Sequence, residues 1–150
     1  MWQRIQTVFL GITIVTLIIS LILPVWQGQA EDTTVVLTPF YLSQKGQYTY
    51  WPYSLTAMLV VAGITLALIE IRRYDNRILQ IKMGTLNSLI LMGVMISAVW
   101  QANTMINAHP ANWDYGLGLY IPFVGVTCNW LAVRFIRRDE KLVRDSDRIR

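Results

Sequence analysis

Ile71-Arg72-Arg73-Tyr74-Asp75-Asn76-Arg77-Ile78-Leu79-Gln80-Ile81-Lys82 decides how this chain is read. On either side lies an apolar run, residues 53–71 before it and 79–101 after it. Each approaches the roughly 20 residues that cross hydrocarbon as a helix. Between them stand three arginines and, just beyond, a lysine. Cytoplasmic loops of membrane proteins carry the excess of Lys and Arg. The stretch therefore reads as a short cytoplasmic turn between two antiparallel membrane helices.

Working outward, residues 7–25 and 116–135 form two further apolar runs. Lipid offers no partners for backbone polar groups, so helix is the expected state of all four. Every Lys and Arg except Lys45 lies in one of three segments: Arg4, the central stretch, and the end from Arg134 to Arg150. Four crossings then put both termini in the cytoplasm. The outer segments hold Glu31, Asp32, Lys45, His109 and Asp114, a net acidic set. Trp26, Trp51, Tyr53, Trp100, Trp113, Tyr115 and Tyr120 fall near that outer boundary, where amphipathic rings favour the membrane–water interface. The apolar run after Arg4 outlasts a signal-peptide core and is closed by Pro24, Val25 and Trp26 rather than by small residues. Retention as a helix is expected.

Composition agrees. The chain of 150 residues is 54% hydrophobic and 15% charged, against about 25% charged for soluble domains. Its net charge of +4 borders apolar segments instead of covering a globular face, which speaks against nucleic acid as a partner. One cysteine, Cys128, excludes an internal disulfide framework. The fold class expected is an all-α membrane protein: a four-transmembrane-helix bundle, one integral membrane domain, with residues 136–150 as a charged cytoplasmic tail. The loop of residues 27–52 is periplasmic. Its β-branched and aromatic runs at 33–37 and 47–51 flank the turn residues Ser43-Gln44-Lys45-Gly46, which reads as a small β-hairpin between the first two helices. In the tail, Glu140–Arg144 and Lys141–Asp145 have the spacing of helical ion pairs.

Small and polar residues recur at helical spacing on each run. Ser20, Gly63, Ala67, Asn87, Gly125 and Asn129 are expected to form a packing seam, because small residues let helices approach and amides bond across them. Glu70 is the deepest ionisable residue. Arg73 and Arg77 follow it at i+3 and i+7, so an ion pair is expected. No catalytic constellation is present. His109 is the single histidine and stands beside Pro110 in a polar loop, and no histidine lies in a helix where it could hold a haem.

Three cytoplasmic stretches carry a family likeness: Met1-Trp2-Gln3-Arg4-Ile5-Gln6-Thr7-Val8-Phe9-Leu10, Asn76-Arg77-Ile78-Leu79-Gln80-Ile81, and Ile136-Arg137-Arg138-Asp139-Glu140-Lys141-Leu142-Val143-Arg144 with the closing Asp147-Arg148-Ile149-Arg150. On these the chain resembles, over its whole length, an uncharacterised family of four-helix membrane proteins of Bacteroidota, domain-of-unknown-function family 4293. The resemblance implies a bacterial inner-membrane location. It implies no activity, and no catalytic residue is carried over.

Those stretches supply the candidate site: Gln3, Arg4, Gln6, Asn76, Arg77, Gln80, Arg137, Arg138, Asp139, Glu140, Arg144 and Arg148, a cytoplasmic cluster for docking or lipid headgroups. The function expected is that of a non-enzymatic accessory or structural subunit, or an assembly factor, of a larger membrane complex. It needs no cofactor, and its partners are lipids and other membrane-protein subunits. The alternative is a small carrier of a lipid-like ligand inside the bundle.

Overall fold

The computed structural model describes residues 3–30, 33–73, 76–108 and 113–147. The helices are α1 (Gln3–Ile22), α2 (Ser54–Arg72), α3 (Arg77–Ala108) and α4 (Leu117–Asp147). All four are long and apolar enough to cross a membrane. They pack in a ring in which each touches its sequence neighbours and α4 closes onto α1. Large apolar side chains such as Val8, Val15, Met58, Leu89, Trp100 and Trp130 point outward. An exposed apolar surface of that extent suits lipid and not water.

Local chemistry sets the helix ends. Pro24 lacks an N–H and disfavours helix at the residue before it, so α1 stops at Ile22, short of the expected 25. The Arg73 amide closes α2 on the Ile69 carbonyl. The Asn76 side chain then accepts the Leu79 amide at 3.0 Å and caps α3, an arrangement worth about 1 kcal/mol. α3 runs to Ala108, beyond the expected 101, because its extra turns bury Ala102 and Met105 beneath the outer layer. α4 is continuous from the membrane segment into the charged tail, ending at Asp147.

That outer layer is larger than the expected hairpin. β1 (Trp26–Ala30), β2 (Thr33–Leu37), β3 (Leu42–Gln44), β4 (Gln47–Thr49) and β5 (Trp113–Tyr115) form a five-stranded sheet in the order β4-β3-β2-β1-β5. Every neighbouring pair is antiparallel. The two runs read as hairpin partners do not pair with each other: β2 lies between β1 and β3, and β4 pairs only with β3. The turn residues at 43–46 instead join β3 to β4. Lys45 and Gly46 at this turn have φ of 51° and 79°, the positive values that a two-residue hairpin turn demands. Alternation along the strands turns Trp26, Val35, Leu37 and Leu42 towards the helix ends, where they pack with Ala98, Ala102, Met105 and Leu119. Among the second outer-loop residues, His109 and Pro110 lie outside the described residues, as do Glu31 and Asp32.

Candidate functional site

The six seam residues, Ser20, Gly63, Ala67, Asn87, Gly125 and Asn129, are all buried. Along each helix, burial recurs every three or four residues, as at Gln6, Leu10, Thr13, Leu17 and Ser20 of α1. Neighbours fill the space at the glycines. A Cβ on Gly63 would stand 3.0 Å from a Leu91 methyl, and one on Gly125 would stand 2.9 Å from the Thr16 hydroxyl.

Two sets of buried polar groups join α3 to its neighbours. Towards the sheet, the Thr56 and Ser97 hydroxyls are 2.7 Å apart, and Gln101 Nε2 donates to Ser97 Oγ at 3.3 Å. Towards the basic end, Asn87 Nδ2 donates to Asn129 Oδ1 at 3.0 Å. Asn129 Nδ2 donates in turn to the Gly84 carbonyl (3.1 Å) and to Ser88 Oγ (2.8 Å). Leu17, Val60, Leu91 and Val94 form a dry layer between the two sets. On the opposite side of the ring, Thr13 Oγ1 donates to the Gly125 carbonyl at 3.2 Å, so buried helix-to-helix hydrogen bonds also tie α1 to α4.

The basic-end candidates also divide. Gln6 is buried and donates to Asp139 Oδ2 at 2.6 Å, tying α1 to α4. Gln80 is buried and donates to the Glu70 carbonyl at 3.2 Å, tying α3 to α2. Asn76 is engaged as the α3 cap, and Arg77 beside it is half-buried. Arg137 donates to Thr85 Oγ1 at 2.9 Å, linking α4 to α3. Glu140, half-buried, and the exposed Arg144 stand 3.7 Å apart in an i,i+4 pair, a contact worth only about 0.3–0.5 kcal/mol. Arg138 lies on the exposed face of the same helix. The side chains of Gln3 and Arg4, and Arg148 as a whole, lie outside the described residues. Among the described members, three contacts tie adjacent helices, Gln6 to Asp139, Gln80 to the Glu70 carbonyl and Arg137 to Thr85.

Glu70 departs from its expected pairing. Its side chain is wholly buried, and neither carboxylate oxygen has a hydrogen-bond partner among the described residues. Arg73 points outward. The carboxylate lies over Gly84 instead, where a Cβ would stand 2.7 Å from Oε1. Spacing along α2 misled because it ignores the direction in which the side chain leaves the helix. A buried carboxylate without partners costs stability. Glu70→Met, which keeps the volume and removes the polar oxygens, is expected to raise stability by about 1–3 kcal/mol in detergent unfolding titrations. A loss of that size would show that the carboxylate has a partner in the membrane.

Among the described residues, no group of three His, Cys, Asp or Glu side chains converges as metal ligands do. No curated protein matches the sequence. The chain belongs to the family described as domain of unknown function (DUF4293), whose model matches residues 2–149.

Proposed function

We propose that this protein is a non-enzymatic accessory or structural subunit, or an assembly factor, of a larger complex in a bacterial inner membrane. In this reading the basic end and both termini face the cytoplasm, and the sheet lies in the periplasm. One observation carries it. The Gln6–Asp139 bond marks a late level at which α1 holds α4, yet α4 continues to Asp147. α1 begins three residues past that level, at Gln3, and α4 continues eight, so α4 outruns it by about 8 Å at the helical rise. Leu142 of α4 is 60% exposed. A charged helix that outruns α1 and carries an exposed apolar side chain near its end suits docking on another protein.

The carrier reading asks for open space at Ser20, Gly63, Gly125 and Asn129. Those positions are buried against their neighbours, which favours the subunit reading.

Copurification from native membranes, followed by mass spectrometry, tests the proposal. A stoichiometric membrane partner is expected, and it is expected to be lost when Leu142 and Val143 are both changed to glutamate. Recovery of the lone protein or a homo-oligomer would overturn it. For orientation, a reporter fused after Arg150 is expected to read cytoplasm, and one inserted at Gly46 periplasm. The reverse result would invert the topology.

A further inference from the structure

Between α3 and α4, at the basic end, a groove of about 410 Å³ opens outward, lined by Thr85, Ser88, Trp130, Val133, Arg134 and Arg137. Its chemistry is uneven in an informative way. Val133 is buried and forms an apolar wall, whereas Arg134 and Arg137 are exposed at the rim. Among the described residues, no acidic side chain lines it. Arg137 is steadied by its 2.9 Å bond to Thr85 Oγ1, and the Arg134 guanidinium stands 5.4 Å from the centre of the Trp130 ring. Each guanidinium carries five N–H donors in a fork that matches a phosphate. These contacts occupy few of them and hold both groups towards one opening.

The groove continues as an apolar track. One turn further along α3, Leu89 and Met92 are outward-facing, and Phe123 and Trp130 are outward-facing on α4. Residues 85 to 92 and 130 to 123 run in the same direction along the two antiparallel helices, away from the arginines and towards the middle of the bundle. A ligand that fits has an anionic head at the rim and an apolar tail along the helices.

We infer that this groove binds an anionic phospholipid, with its phosphate between Arg134 and Arg137 and an acyl chain against Trp130 and Val133. Basic pockets between membrane helices on the cytoplasmic side bind such headgroups. The inference rests on the membrane-spanning reading and adds a ligand class to it.

The test uses the full-length protein in a neutral detergent, with lipid binding read by native mass spectrometry. The probes are phosphatidylglycerol, phosphatidylcholine and inorganic phosphate. The Arg134→Gln/Arg137→Gln variant is compared with Arg72→Gln/Arg73→Gln, which removes two exposed charges outside the groove. Phosphatidylglycerol is expected to bind the wild type and the control alike, and the groove variant about thirty-fold more weakly, as loss of two cationic contacts implies. Phosphatidylcholine is expected to bind weakly to all three. Equal weakening in both variants would mean diffuse charge attraction and would overturn the site. So would unchanged binding in the groove variant. Competition by millimolar inorganic phosphate as effective as by lipid would assign the groove to a free anion and overturn the lipid. Alkaline extraction of native membranes separately tests the reading beneath it: a chain released into the soluble fraction would fail that reading and leave no lipid-facing groove to discuss.

Discussion

Asn129→Leu is expected to lower the stability of the bundle by about 2–4 kcal/mol, measured by unfolding in a graded denaturing detergent. Asn129 is wholly buried and takes part in three hydrogen bonds that cross from α4 to α3. Interhelical bonds of this kind average about 0.6 kcal/mol in membranes and reach about 1.7. The substitution also strands Asn87 Nδ2, whose partner in the structure is the lost amide oxygen. A buried donor left without a partner costs about 1–3 kcal/mol on its own. The double variant Asn87→Leu/Asn129→Leu is therefore expected to lose less than the two single changes added together, because it removes both partners at once. Additive losses would show that the two amides act independently and that their contact contributes little.

Gly116→Val is expected to be at least as damaging, at about 3 kcal/mol or more. The Gly116 amide donates to the Val25 carbonyl at 3.0 Å, and the Gly118 amide donates to the Pro24 carbonyl at 2.9 Å. This brings the start of α4 so close to the chain leaving α1 that a Cβ on Gly116 would collide with the Pro24 carbonyl. Backbone cannot step aside as a side chain can, so the cost exceeds the usual 1–3 kcal/mol of overpacking. Gly11, which has nothing within 4 Å of an added Cβ, is the control: Gly11→Val is expected to stay within about 1 kcal/mol of wild type. Equal losses at both positions would mean that the close approach at Gly116 does not govern the result.

The four helices long and apolar enough to cross a membrane were legible in the sequence, because composition alone reports what lipid requires of a spanning segment. The sheet was much less so. Trp26-Gln27-Gly28-Gln29-Ala30 has neither the β-branched content nor the alternation of a typical strand, yet it becomes a central strand. It does so because Val35 and Leu37 of β2 pair across it and β5 closes its other side. Gly28 is needed there, since a Cβ would strike the Trp26 ring. Pairing with residues more than eighty positions away leaves no local signal. The candidate site shows the same division. Gln6 and Asp139 both stood out as polar residues near basic segments, but nothing in their spacing joins positions 6 and 139. The groove arginine Arg134 and its Trp130 neighbour escaped notice because an i,i+4 pair on one helix looks like any solvated face until α3 supplies the opposite wall.

The strand order β4-β3-β2-β1-β5 also has a consequence for synthesis. Four of the five strands precede α2 in the chain, but β5 follows α3. While the ribosome is still producing the first three helices, β1 has a partner on one side only. Its free edge is paired only once residues 113–115 have been made. The last of the four helices to be made is thus the one that packs on the first, and a chain that lacks residues 113–115 leaves one edge of β1 unpaired.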